Sequence, residues 1–273
     1  MSSLKGKTAL VTGSTDGVGR VVAEQLGARV LVHGRDQTRG ENIVRDIRAG
    51  GGTADFLAAD LASLADVRRL ADAVRASTNR HDILINNAGI GSAGAARQTS
   101  ADGRELRFAV NYLAGFLLTY LLLPLIKQSA PARIVNVASA GQQAIDFSDV
   151  MLTRGYSGTR AYCQSKLAQI MFTIDLAREL EGTGVIVNTL HPSTYMNTTM
   201  VRRAGVTPIS TVEQGAEAIL NLASGPALEG RSGLYFNVLR EARADRQAYD
   251  AEARARLRAL SRELTGLRAA EKV

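Results

Sequence analysis

A chain of 273 residues with 45% hydrophobic content is long enough for one or two globular domains, and α/β folds of about 250 residues often stay single. One cysteine, Cys163, excludes an internal disulfide, and the three histidines, at 33, 81 and 191, have no metal-ligand spacing. The net charge of +7 is carried by arginine, with lysine only at 5, 7, 127, 166 and 272; no basic run is interleaved with aromatics, so solvated helix faces are expected rather than a nucleic-acid surface. Segment 1–7 has no apolar stretch and does not read as a secretory signal. The longest apolar block, 116–126, is too short to cross a bilayer and contains Pro124. A soluble, cytoplasmic protein with no membrane span is the expectation.

Apolar strand-like runs alternate with helical patterns along the chain. Strands are predicted at 8–11, 29–32, 53–58, 83–86, 133–138, 185–190 and 235–238, and helices at 37–49, 63–77, 101–128, 160–181 and 212–223. A first helix, 21–26, is expected to be under two turns. Strict alternation predicts an α/β fold: a doubly wound parallel sheet of about seven strands with helices on both faces. No linker and no repeat divides residues 1–273, so one domain is predicted.

The first strand runs into Thr12-Gly13-Ser14-Thr15-Asp16-Gly17-Val18-Gly19. Glycines here let the chain turn off the strand, let backbone approach a pyrophosphate and let the helix pack closely. The N–H groups at the helix start then attract phosphate, so residues 13–19 are the predicted phosphate loop. Twenty positions past Gly13, where a carboxylate would bind the ribose 2′-hydroxyl of NAD, stands His33, followed by Gly34 and Arg35. A guanidinium suits bidentate phosphate contact. His33 in place of that carboxylate, with Arg35 two residues later and the Ser14 hydroxyl, predicts NADP(H) in preference to NAD(H). Asp36 is expected to N-cap the next helix. Asp60 and Leu61 follow the third strand, where the carboxylate either faces an adenine amine or begins a loop. Asn86-Asn87-Ala88-Gly89 closes the fourth strand, at the sheet edge where ligands bind in such folds. Asn87, Ala88 and Gly89 join the predicted cofactor site.

Asn111 lies inside an otherwise apolar helix, where it is either a kink or the holder of a water. Ser139 ends the fifth strand, pointing into the ligand crevice. Tyr162 and Lys166 stand at i and i+4 on one helix face. A cation beside a phenol lowers the phenol's pKa from about 10 toward neutrality, which predicts Tyr162 as general acid/base and Lys166 as its perturber. Cys163, with no local histidine or aspartate partner, reads as helix packing.

These motifs, in this order, resemble the single-domain short-chain dehydrogenase/reductase family, with its Rossmann-type fold. The matching residues are Thr12-Gly13-x-x-x-Gly17-x-Gly19, Asn86-Asn87-Ala88-Gly89, Asn111, Ser139 and Tyr162-x-x-x-Lys166. Segment 140–167, with Asp146-Phe147 and Ser165-Lys166-Leu167-Ala168, is similar to the retinol-dehydrogenase-like and protochlorophyllide-reductase-like branch, as is segment 251–267. The resemblance implies a tetrad. Tyr162 exchanges a proton with the carbonyl oxygen, Ser139 holds that oxygen, Lys166 bonds the nicotinamide ribose, and Asn111 supports a water relay. The 101–126 and 160–180 helices carry broad apolar faces; the resemblance implies a homodimer or homotetramer through them, and the alternative is simple burial against the sheet. The family's Pro-Gly-x-x-x-Thr appears here as Pro192-Ser193-Thr194-Tyr195-Met196-Asn197-Thr198, with Pro192, Ser193 and Thr194 expected near the nicotinamide amide. Loops within 141–160 and 193–210 are expected to bind a medium-sized, partly apolar carbonyl or alcohol. A catalytically silent dinucleotide sensor and a nucleotide-sugar epimerase remain the competing readings. Retention of Tyr162 and Lys166 weighs against the sensor; the glycine spacing and short C-terminal region weigh against the epimerase.

Overall fold

The computed structural model describes residues 4–91 and 96–267. The strands are β1 (Thr8–Val11), β2 (Arg29–Gly34), β3 (Thr53–Ala58), β4 (Ile83–Asn86), β5 (Ala132–Val137), β6 (Val185–His191), β7 (Tyr235–Asn237) and β8 (Arg240–Ala242). They form one sheet in the order β3-β2-β1-β4-β5-β6-β7-β8. Each pair is parallel except β7–β8, an antiparallel edge that raises the expected seven strands to eight.

The helices are α1 (Gly17–Gln25), α2 (Gln37–Ala49), α3 (Leu64–Ser77), α4 (Leu106–Gln128), α5 (Gly158–Glu179), α6 (Thr199–Arg203), α7 (Val212–Ser224) and α8 (Ala251–Thr265). Successive strand residues point to opposite faces, and two cores result. Leu10, Leu31, Leu84 and Ile134 pack with α3, α4, α5 and α8 on one face. Ala9, Val11, Val30, Val32 and Ile85 pack with α1, α2 and α7 on the other. The strand order reverses between β1 and β4, and the carboxyl ends of those two strands open the ligand crevice.

Three expectations change. The first helix starts at Gly17, not 21, and runs nine residues, because Asp16 caps it by accepting from the Gly17 N–H at 2.7 Å. The helix predicted from 101 begins at Leu106, where the Glu105 carboxylate accepts from the Phe108 N–H, and its Ala109–Leu113 stretch is a π-helical turn. Over its full length α4 is 23 residues and apolar enough to cross a bilayer, though 67% of its apolar window is buried inside the domain.

The surplus apolar faces of α4 and α5 meet the chain's own C-terminal helix. Arg254 of α8 is buried against Asp175 (Nε to Oδ1, 2.8 Å), and the Tyr112 and Ser261 hydroxyls bond at 2.7 Å. The Arg262 guanidinium sits 5.1 Å from the Tyr120 ring centroid, and Leu257 is buried in the same core.

Candidate active site

Two loops interlock at the carboxyl ends of β1 and β4. Gly13 turns at φ +65°, and a Cβ there would lie 2.8 Å from Ala88 Cα. A Cβ on Gly19 would lie 2.3 Å from Asn87 Nδ2 and 2.4 Å from the Gly13 carbonyl oxygen. Only glycine fits either place, so the loop is held close to both the β4 end and α1's N-terminus. That cradle fits a pyrophosphate. Thr12, which the sequence reading quoted in the motif but did not count as a site residue, ties the two loops together. Its Oγ1 accepts from the Asn87 and Ala88 N–H groups, each at 3.0 Å, and donates to the Ile85 carbonyl at 3.3 Å. Asn87 Nδ2 donates back to the Thr12 and Gly13 carbonyls at 2.9 and 3.2 Å. Thr15 closes over Gly34, while buried Val18 joins the α7 side of the core.

The predicted 2′-phosphate cluster is only partly assembled. Ser14 is fully buried; its hydroxyl donates to the Val11 carbonyl at 2.7 Å and accepts from the His33 N–H at 3.0 Å. It braces β1 against β2 and does not face a phosphate. His33 is buried as well, with Nδ1 accepting from the Gly13 N–H at 3.1 Å. Burial lowers its pKa to about 4 against a weak pull from the Ala59 carbonyl, which Nε2 does not meet in a formed hydrogen bond. The neutral ring therefore props the glycine loop from beneath and is not a ribose ligand. Arg35 is free to act: its side chain is 71% exposed, with Nη1 3.9 Å from Asp60 Oδ2. Asp60 stands at the start of the loop, Oδ1 accepting from the Ala62 N–H at 3.0 Å and Oδ2 exposed beside Arg35, and Leu61 is core. Asp36 caps α2 by accepting from the Arg39 N–H at 3.0 Å.

Across the crevice, Asn111 occupies the π-helical turn of α4. The wider turn lets its amide bond Ile90 reciprocally: Oδ1 accepts from the Ile90 N–H at 2.7 Å, and Nδ2 donates to the Ile90 carbonyl at 3.1 Å and to Ser165 Oγ at 3.0 Å. Ser139 follows β5, its Oγ accepting from the Gly141 N–H at 3.0 Å. Tyr162 and Lys166 project from α5, whose start Ser157 caps by accepting from the Arg160 N–H. A Cβ on Gly141 would lie 3.5 Å from Ser139 Oγ and 3.6 Å from Tyr162 Cε1, so both groups border one point. One on Gly89 would lie 3.3 Å from Asn111 Oδ1 and 3.4 Å from Lys166 Nζ. The four residues are thus gathered on both sides of the crevice.

The electrostatics differ from the expectation. Burial pushes the Tyr162 phenol up, and the Ser139 hydroxyl pulls it partly back. Lys166 Nζ lies 5.8 Å from the Tyr162 ring centroid but donates elsewhere, to the Val137 carbonyl at 2.8 Å and Gln169 Oε1 at 2.9 Å. Its own pKa falls to about 7 through burial.

After β6, His191 Nε2 and Thr194 Oγ1 bond at 3.0 Å, and Ser210 Oγ donates to the Thr194 carbonyl at 2.6 Å. Pro192 is buried and Ser193 half-buried, while Tyr195 is exposed at φ +43°. The displaced Thr198 caps α6 and puts its methyl 3.3 Å from a Cβ on Gly17, over the phosphate loop.

A short chain dehydrogenase family profile matches residues 7–207, a span holding the glycine loop and all four gathered side chains. The chain is a short-chain dehydrogenase. The dehydrogenase is 38% identical to human retinol dehydrogenase 13, over 98% of this chain and 87% of that relative, and its branch is the retinol-dehydrogenase-like one. Among solved structures it is similar to an uncharacterized protein from Mycobacterium paratuberculosis, with 31% identity, TM-score 0.80, 97% of this chain and 95% of that one. It is also similar to the Pseudomonas aeruginosa RhlG/NADP active-site complex, with 31% identity, TM-score 0.70, 86% of this chain and 96% of that one.

Proposed function

We propose that this dehydrogenase transfers hydride between NADP(H) and a medium-sized, partly apolar carbonyl or alcohol, with Tyr162 as general acid/base. The observation that carries this reading is the meeting of the Tyr162 ring and the Ser139 hydroxyl around Gly141. The nicotinamide supplies or accepts the hydride when bound. Tyr162 gives its proton to the carbonyl oxygen in reduction and takes it back in oxidation, while Ser139 donates to the same oxygen. A phenol raised by burial is protonated at neutral pH, the form needed to reduce a carbonyl. Asn111 keeps the Ile90 segment in register with α5 through Ser165. On the ribose side, Arg35 is the exposed cation at the end of β2, which supports NADP(H). NADP also stands in the name of the similar Pseudomonas complex.

Of the expected apolar lining, Tyr195 and Met200 are exposed on the second substrate loop, whereas Ile145 and Phe147 belong to the core beside α8 and Met196 packs against Gly215 of α7. Gln142 is occupied structurally, donating to the Ser139 carbonyl and accepting from the Asp245 N–H at 2.7 Å. Retinaldehyde enters the candidate list through the relatives' name alone. The test is NADPH oxidation against a panel of aliphatic, aromatic and retinoid aldehydes and ketones. Tight NADPH binding with no oxidation by any of them would favour the silent sensor. Since α8 occupies the α4–α5 face, we read the chain as monomeric through that face. Sedimentation at micromolar concentration checks this: a dimer that persists when Tyr120 is replaced by Glu uses another surface, and one that dissociates overturns the reading.

A further inference from the structure

Lys166 is 4% exposed, and a buried ammonium survives only if its protons are accepted. Two acceptors are in place. One is the Val137 carbonyl at the end of β5, which any residue there would present. The other is Gln169 Oε1, one helical turn along α5 from Lys166 and itself 4% exposed. Tyr162, Lys166 and Gln169 stand at i, i+4 and i+7, so the contact is written into one face of α5. Gln169 also lines a small cavity with Thr12, Asn86 and Asn111. Asn86 Oδ1 in that cavity is buried with no hydrogen-bond partner among the described residues. Its Nδ2 is held by Thr119 Oγ1 and Asn136 Oδ1, which prevents the amide from turning. The polar ground beneath Lys166 therefore extends from α5 to the ends of β1 and β4.

We propose that Gln169 is a positioning residue for the reaction: its side-chain oxygen, with the Val137 carbonyl, fixes two of the three Lys166 N–H bonds and leaves the third to the crevice. An ammonium has three donors and no acceptor. With two committed behind it, Nζ presents one N–H beside Gly89, Asn111 and the Tyr162 ring. Without the Gln169 oxygen, the amine gains freedom to turn and loses half its fixed support for positive charge. The titratable groups facing it are Tyr162, on its own helix, and His191, whose pKa burial and the Lys166 charge both lower. Neither supplies a negative charge at neutral pH, so the two neutral oxygens carry the stabilisation. The consequence for turnover rests on the hydride-transfer reading above; the effect on the amine does not.

The test is the titration of Lys166 in the cofactor-free protein, followed by NMR of 13Cε-labelled lysine. The chain has lysine at five positions only, and Lys166→Met assigns the signal. Wild type is expected to titrate near pH 7. Gln169→Leu, similar in size but without an acceptor, should lower the midpoint by about one pH unit or more, the scale of one charge-assisted hydrogen bond. Gln169→Glu keeps an oxygen and adds charge, so the midpoint should rise. In turnover, the alkaline limb of kcat/KM should move the same way in each variant. A Gln169→Leu midpoint equal to wild type overturns the proposal; if that variant does not fold, an unmoved midpoint in Gln169→Glu overturns it. An absence of turnover in wild type would sink the hydride-transfer reading and leave the titration standing.

Discussion

Thr12→Val should loosen the joint between the phosphate loop and the β4 end, at a cost the geometry sets. Valine keeps the shape and removes the hydroxyl. The Asn87 N–H keeps a second acceptor, the Ile85 carbonyl at 3.0 Å. The Ala88 N–H has Thr12 Oγ1 as its one acceptor among the described residues, so it is left unsatisfied. A donor left without a partner costs about 1–3 kcal/mol when buried, toward the lower end here because Ala88 is half-buried, and the lost bond to the Ile85 carbonyl adds roughly 1 kcal/mol, so about 2–3 kcal/mol is expected. Thr12→Ser keeps the hydroxyl and loses one methyl, worth about 1 kcal/mol. Urea unfolding of the three proteins, compared at the midpoint with m unchanged, separates the two effects. NADPH affinity should also fall in Thr12→Val more than in Thr12→Ser, since Ala88 packs against Gly13. Equal destabilisation by valine and serine would refute the hydroxyl's role as the tie.

Tyr162→Phe should lose about 10²–10⁴-fold in hydride-transfer rate in single turnover, with cofactor binding nearly unchanged; near-normal chemistry would remove Tyr162 from the mechanism. Arg35→Ala should weaken NADPH by about 10-fold, the lower end for a charge-assisted bond because the side chain is exposed, and leave NADH unaltered. Equal weakening of both cofactors would leave Arg35 as a loop residue. His33→Asp is not a clean selectivity switch, since it would bury a carboxylate beneath Gly13 and break the 3.1 Å bond. His81 is fully buried, neither ring nitrogen has a hydrogen-bond partner among the described residues, and burial holds its pKa at about 4. The unfolded chain binds the proton more tightly, so stability is full above about pH 6.5 and lost as pH falls toward 4. His81→Leu should remove roughly 2–3 kcal/mol of the loss between about pH 7.5 and about pH 4.5, measured by urea unfolding; an unchanged loss would assign it elsewhere.

The parts of this protein legible in the sequence are those with a local period or a rigid backbone demand. Strands β1 to β7 alternate with helices strongly enough to be read one by one. Gly13 and Gly19 declare themselves because only glycine meets those contacts. The Tyr162–Lys166 spacing carries its own geometry, since i and i+4 share a helix face. Where the reading failed locally, weak signals were outweighed by packing. Gly17 and Gly19 are poor helix formers, yet α1 begins there because Asp16 caps it and α7 packs on it. Strand β8, Arg-Glu-Ala, has no apolar alternation and exists because β7 offers an open edge.

Tertiary structure alone decided which way the chemistry-bearing groups face and how wet they are. Ser14 and His33 have the right residue types at the right spacing for a cofactor, but the sheet turns both inward, where each serves the backbone. Lys166 stands near Tyr162 as expected, while its protons point to Val137 and Gln169, and burial governs both pKa values. The helices α4 and α5, which the resemblance pairs between copies, also carry α8, more than seventy residues later, through Arg254–Asp175 and Tyr112–Ser261. Spacing along a chain constrains which side chains share a face. Direction, solvation and the choice of partner depend on groups far away in sequence, and these the fold alone brings together.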